Sequence, residues 1–213
     1  VCSSDLFNDI IKNNNKNVIW LPFSIPRSSI TTLNTNPNKK LLLTGAAQKE
    51  YYPHRFFIRK LHNRYNSNRA TKKKNPIDIL KHPGYNTDYK NAVIGNDYLN
   101  YIKKYIASFT CYAKPIFPYI VRKFFEIPST GCLLVANDDF VKKHMKELGF
   151  EDNVNYISVT DKNVENKIKY ILDPKNKQKI DEIRRNGQKL IVDRHLDVHR
   201  VEYITEICNK LIS

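Results

Sequence analysis

KFFEIPSTGCLLVAND, running from Lys123 to Asp138, is the stretch whose reading decides the fold. Apolar residues on both sides of Glu126 predict a half-buried helix, which Pro128, Ser129, Thr130 and Gly131 break. Cys132 to Ala136 is a short apolar run between turn signals and predicts a buried strand. Asn137 and Asp138 are placed to cap a following helix that carries Phe140, Val141, Met145 and Leu148 at helical spacing. Helix, glycine turn, buried strand and helix make the repeating unit of an open α/β sheet. Glu126 is the odd residue, because a carboxylate between Phe125 and Ile127 is costly to bury without hydrogen-bond donors.

The alternation extends in both directions. Upstream, Leu41 to Thr44 reads as a buried strand closed by Gly45, Ala46 and Ala47, and Pro53 opens a helix through about Asn66 that would bury Phe56, Phe57, Leu61 and Tyr65. Asn66 to Pro76 is a polar loop, Ile77 to Leu80 a short strand, and Pro83–Gly84 a turn. Asp97 to Lys104 is helical, Tyr105 to Cys111 a strand, and Pro115 to Phe125 helical by its apolar spacing. Downstream, Asn153 to Val159 is a strand and Asp161 caps a helix over Val164, Ile168, Ile171 and Leu172. Pro174 opens a helix to Val192, and Val198 to Leu211 is the last helix. Near the N-terminus, Phe7 to Lys16 is a helix or an arm, Asn17 to Phe23 a strand, and Ser24 to Lys39 a linker or long loop. The expected division is therefore residues 1–39 as the remnant of a preceding unit and linker, and residues 40–213 as one Rossmann-like α/β domain.

Composition narrows the functional classes. Hydrophobic content of 41%, with 13 Tyr and 10 Phe, requires a packed core and excludes a disordered chain. Lys plus Arg number 36 against 21 Asp plus Glu, and the resulting charge of +15 favours anionic partners without bearing on fold. Runs such as Asn13–Asn15 and Lys72–Lys74 also follow from AT-rich coding. Cys2, Cys111, Cys132 and Cys208 form no CxxC pair, so reduced thiols and a cytoplasmic setting are expected, with no zinc site. No apolar run approaches a membrane span. The chain begins with Val1, and Val1 to Leu6 is what a common sequencing-adapter end encodes; the expectation is an artefactual start and a protein that extends further toward its N-terminus.

Several patches together carry a family resemblance. FFEIPSTGCLLVAND resembles the Arg-x-Phe-Glu-x-x-Ala-x-Gly-x-Leu-Leu segment of group 1 nucleotide-sugar glycosyltransferases of the two-Rossmann-domain (GT-B) type, nearest to the group related to the spore-maturation enzymes. Trp20, Leu21 and Pro22 look like the linker into the donor-binding domain. LLLTGAA with YYPHR is similar to that domain's first strand, glycine and Tyr-Pro-x-Arg helix start. Tyr98 to Phe109 resembles the segment before the glutamate helix, and the stretch from Leu172 to Ile204 resembles the C-terminal pattern ending in His195, His199 and Arg200. The implied fold is the C-terminal, donor-binding half of a GT-B enzyme. The implied partners are a UDP-, GDP- or similar nucleotide sugar and a glycan or protein acceptor, with no cofactor. In such enzymes the glutamate matching Glu126 holds the ribose hydroxyls. A second glutamate, usual eight positions earlier in retaining relatives, is Pro118 here. The general base is expected from an N-terminal domain that this chain largely lacks.

The candidate donor-binding residues are Glu126, Gly131, Arg122, Gly45, Arg55 and Tyr119, with Lys114 beside them. Two carboxylate oxygens suit two neighbouring ribose hydroxyls, although a half-exposed surface glutamate is the plain alternative. Gly131 and Gly45 admit positive φ or close backbone approach, and each is equally compatible with an ordinary turn. Arg122, four residues before Glu126, is either its salt-bridge partner or a contact to the diphosphate. His195, His199 and Arg200 are expected to join the last helix to the domain, and His195 with His199 lacks a third metal ligand nearby. Two other functions stay open. The basic run from His54 to Lys74 contains no acid and would suit a nucleic-acid backbone, but it lacks a zinc-finger, KH or RNP pattern. An inactive donor-domain remnant with a structural role is the other. Peripheral membrane contact is compatible with the charge.

Overall fold

The structure, a computed structural model, describes residues 19–82, 92–114 and 118–212. The expectations for residues 1–16, for Pro83–Gly84 and for a helix start at Pro115 lie outside them. Five strands, β1 (Asn38–Leu43), β2 (Ile77–Ile79), β3 (Tyr105–Cys111), β4 (Leu133–Asn137) and β5 (Ile157–Ser158), form one parallel sheet of order β2-β1-β3-β4-β5. Near-continuous apolar strands are what a parallel sheet covered on both faces requires. Successive side chains serve opposite cores. Leu42, Leu134 and Ala136 pack with Phe124, Phe125, Met145 and Ile191, whereas Leu41, Leu43, Leu133 and Val135 pack with Ile58, Leu61, Ile168 and Ile183.

Helices supply the crossovers: α1 (Pro53–Ser67) and α2 (Arg69–Lys72) after β1, α3 (Gly95–Ile102) after β2, α4 (Lys123–Ser129) after β3 and α5 (Lys142–Glu147) after β4. Beyond β5 run α6 (Val164–Leu172), α7 (Lys177–Arg194) and α8 (Asp197–Ile212). The chain leaves β1 toward β2, then returns across it to β3 and continues the other way. That reversal opens a crevice outside the carboxyl ends of β1 and β3, where ligands of such sheets bind.

Several local expectations change. Residues 19–23 form no strand; Pro22 and Pro26 lack the donors a ladder needs, and Ile25 alone bridges Leu196, with its N–H 2.9 Å from the His195 carbonyl. The described residues between 118 and 122 are not helical. Tyr119 and Ala113 exchange two backbone hydrogen bonds of 3.1 Å, and the helix begins only at Lys123, past Pro118. It then continues through Ser129 with Pro128 inside it. The strand expected over Asn153–Val159 shrinks to Ile157–Ser158, since Asn153 turns the chain at φ 61°. Asp138 is buried and is not a side-chain cap: it accepts from Tyr156 Oη at 2.7 Å and Ser158 Oγ at 2.5 Å, tying β4 to β5. Asp161 likewise faces His54 at 2.9 Å, while Asn163 occupies the cap position of α6. Helix α1 buries Arg55, Ile58 and Leu61, leaving Phe56, Phe57 and Tyr65 half-buried. Phe140 is exposed rather than part of an apolar helix stripe.

The segment before β1, expected as a linker or long loop, lies along α4 and α7. Gln188 Nε2 donates to the carbonyls of Thr31 (2.6 Å) and Ser129 (3.0 Å). Helix α7 passes so close to the loop before β5 that a Cβ on Gly187 would sit 2.6 Å from the Asn155 carbonyl oxygen. Gly187→Ala must therefore displace backbone, and a urea titration should show a loss of about 1–3 kcal/mol. An unchanged midpoint would mean that α7 is free to shift.

Candidate functional site

The crevice is built on Gly45, the second residue after β1. Its φ is +85°, and a Cβ there would lie 2.7 Å from Lys123 Cε and 3.2 Å from an Arg55 guanidinium nitrogen. Glycine thus lets two basic side chains pass against the backbone where any larger residue would block them. Arg55 is 2% exposed, stacks on the Tyr52 ring at 4.1 Å, and donates to Thr110 Oγ1 at 2.9 Å and, at longer range, to the carbonyls of Ala46 and Cys111. It fastens the loop after β1 to the end of β3 across the reversal point. Its Nε is buried and has no hydrogen-bond partner among the described residues. Pro53 at the first position of α1 pre-sets the helical φ, so that this helix starts beside the same loop.

Glu126 lies on α4 with its side chain 17% exposed. Oε1 is 3.3 Å from Arg122 Nε and Oε2 is 4.0 Å from Lys123 Nζ. Lys123 in turn donates to Tyr98 Oη and lies over that ring, and Tyr98 Oη is 2.8 Å from Thr44 Oγ1. Burial pushes the Lys123 ammonium down to about 8; Glu126 pulls the other way and Arg55 adds to the fall. Burial and then Glu126 raise the Tyr98 phenol, while burial, Lys123 and Arg55 lower His82. A cleft of about 220 Å³ runs beside Gly45, His82, Ile94, Tyr98, Lys123 and Glu126. That is below the usual size of a complete small-molecule pocket, and it would hold part of a ligand.

The structure thus brings together Gly45, Arg55, Arg122 and Glu126. It separates Gly131, whose φ of +72° turns α4 into the start of β4 against Leu33, and whose carbonyl accepts from Arg184 Nε at 2.9 Å. That is the amino end of the strand, away from the crevice. Tyr119 stays in the connection between β3 and α4, half-buried against the core. Lys114 lies over the Phe140 ring at 4.8 Å. Arg200 donates to the carbonyls of Pro22 and Phe23, and His195 Nε2 to that of Leu148, so this C-terminal group joins α8 to the domain as expected. Of the basic run, Arg55 is buried and Arg64 pairs with Glu165 at 2.5 Å, leaving less free charge than the sequence implies. Sequence reading missed Lys123, Tyr98, Thr44 and His82. A lysine three residues before Glu126 in an apolar-flanked helix was the available signal for the first. Among the described residues no cluster of His, Cys, Asp or Glu suits a metal ion, and no helix is long and apolar enough to cross a membrane.

An open parallel sheet of this order with a basic, glycine-floored crevice at its reversal point is a Rossmann-like α/β architecture. Solved GT-B glycosyltransferase structures match it. A glycosyltransferase from Rickettsia africae aligns with a TM-score of 0.66 at 12% identity, over 99% of this chain and 62% of that one. Sucrose-phosphate synthase from Thermosynechococcus elongatus aligns at 0.65 and 10% identity, over 99% and 57%. The pneumococcal O-GlcNAc transferase GtfA, in complex with UDP and GlcNAc, aligns at 0.57 and 14% identity, over 99% and 44%. The chain therefore spans about half the length of these structures. The profile of the glycosyl transferase-like family matches residues 31–206, and the chain belongs to that family. No curated protein sequence matches it.

Proposed function

We propose that the chain is the C-terminal, donor-binding half of a glycosyltransferase that moves a sugar from a nucleotide sugar to a glycan or protein acceptor. Within the family we read it nearest the spore-maturation group. The observation that carries this is Glu126, half-buried between Arg122 and Lys123 and opening on the cleft beside Gly45. A carboxylate so held offers acceptors to two ribose hydroxyls. The start of α1, with Arg122, supplies positive potential for the diphosphate as it leaves. Arg55 acts from behind, holding the Gly45 loop, and Tyr119 borders the approach to Glu126. On this reading residues 40–213 form the nucleotide-sugar unit, and the half-length match to the GT-B structures supports a general base on another part of a longer protein. Such a half would bind donor without turning it over. The free thiols of Cys111 and Cys132 are consistent with a reducing, cytoplasmic setting.

Calorimetry with UDP, GDP and their sugars tests the proposal. One of them should bind, and Glu126→Ala should weaken it about 10- to 100-fold, the worth of hydrogen bonds to a charged group. The circular dichroism of the variant should not change. Equal affinity in wild type and variant removes Glu126 from the site. Absence of binding together with strong, steeply salt-dependent nucleic-acid binding would favour the rival function.

A further inference from the structure

We propose that Lys123 is the positioning residue that holds Glu126 for the ribose, and that nucleotide binding requires Lys123 in its protonated form. This rests on the reading of Glu126 given above. The ammonium is oriented from several sides: Tyr98 of α3 accepts its hydrogen bond, Glu126 of its own helix faces it at 4.0 Å, and its stem fills the space that Gly45 leaves open. Among the described residues, the other charged or titratable groups turned toward it are Arg55 from α1, His82 from the segment after β2, and Arg122 beside Glu126. Arg122 Nε lies 3.3 Å from one carboxylate oxygen and Lys123 Nζ 4.0 Å from the other, so the two cations flank the Glu126 carboxylate on both sides.

Stability gives no account of an ammonium here. A methionine would fill the same stem space without the cost of taking a charge out of water. What the charge supplies is a counter-ion that keeps the carboxylate aimed while an anionic ligand approaches. Because burial lowers its pKa to about 8, that counter-ion is lost just above neutrality. His82 is pushed below its usual range and Tyr98 above its own, so both titrate outside this window.

The test is nucleotide-sugar affinity of the intact chain between pH 7 and 9.5, measured by calorimetry with whichever of UDP-glucose, UDP-GlcNAc or GDP-mannose binds. Wild-type affinity should fall about tenfold per pH unit above pH 8. Lys123→Met should bind at least tenfold more weakly at pH 7 and show no such fall, while Lys123→Arg should restore binding and move the fall out of range. Ionisation of the base is common to all three proteins and cancels in the ratios. A wild-type profile parallel to that of Lys123→Met overturns the inference while leaving Glu126 as the ribose ligand. A wild type that binds no nucleotide sugar at any pH instead overturns the donor reading, and this inference falls with it.

Discussion

Replacing Arg184 by methionine is expected to cost about 3–5 kcal/mol, a large share of the stability of a domain of this size. The side chain is 1% exposed on α7, and its three nitrogens are all used. Nε donates to the Gly131 carbonyl at 2.9 Å, one terminal nitrogen to Asp181 at 2.7 Å and the other to the Asn34 carbonyl at 2.8 Å. One guanidinium therefore joins the turn between α4 and β4, helix α7 and the segment leading into β1. Burial alone would raise the Asp181 carboxyl, but hydrogen bonds from Lys177 and Arg184 hold it below the usual range. Methionine would keep the packing volume while orphaning the buried Gly131 carbonyl and the half-buried Asn34 carbonyl and weakening that carboxylate's environment. Urea titration at pH 7 measures the effect. A loss under about 1 kcal/mol would show that water replaces all three bonds, and the hub would then be no more than packing.

The second large effect is acid lability centred on His195. The ring is buried and stacks on Phe150 with planes 9° apart. Nε2 donates to the Leu148 carbonyl at 2.8 Å, and Nδ1 accepts from Arg200 at 2.8 Å. Both neighbours thus demand the neutral ring protonated at Nε2, since a proton on Nδ1 would face a guanidinium. Burial first, and then the charges of Arg200 and Arg194, lower its pKa to about 4, while the Leu148 bond opposes the fall. The folded value lies below the unfolded one of about 6.5, so as pH drops through this window the unfolded state takes up a proton that the folded state refuses. The stabilisation is complete above about pH 6.5, is lost progressively toward pH 4, and amounts to about 3 kcal/mol. Denaturant midpoints at pH 7, 5 and 4 should fall accordingly in the wild type. In His195→Gln, which keeps a donor toward Leu148 and cannot titrate, that part of the fall should vanish. Parallel curves for the two proteins would assign the acid sensitivity elsewhere, with Asp181 contributing only at lower pH as its depressed carboxyl protonates.

The strands and helices of the central unit were legible because their signals are local. Tyr105–Cys111 matched residue for residue, since a parallel strand covered on both faces reads as a near-continuous apolar run, here interrupted only by the small polar residues Ser108 and Thr110. Glu126 stood out for the same reason, a charge set in an apolar run. Arg184 and Gly187 left a trace that was passed over: with Ile180, Ile183, Leu190 and Ile191 they complete the buried stripe of α7, where an arginine and a glycine are out of place. The helix expected before Lys123 and the strand expected before Ser24 failed where Pro118 and Pro22 cut across an otherwise suitable apolar pattern.

The sequence by itself determined the alternation of strand and helix, the two-sided burial of the sheet and the candidacy of one carboxylate, because each follows from the spacing of apolar residues along a short span. Only the tertiary structure decided which residues share an end of the sheet. Gly131 and Glu126 are near neighbours in the chain, yet the turn that Gly131 makes into β4 leaves them at different places on the strand axis. Lys123, Tyr98 and Gly45 come from separate segments and meet in one cleft because β1 and β3 are adjacent while their crossovers diverge. Contact between distant segments depends on strand order, and no local pattern of side chains encodes that order.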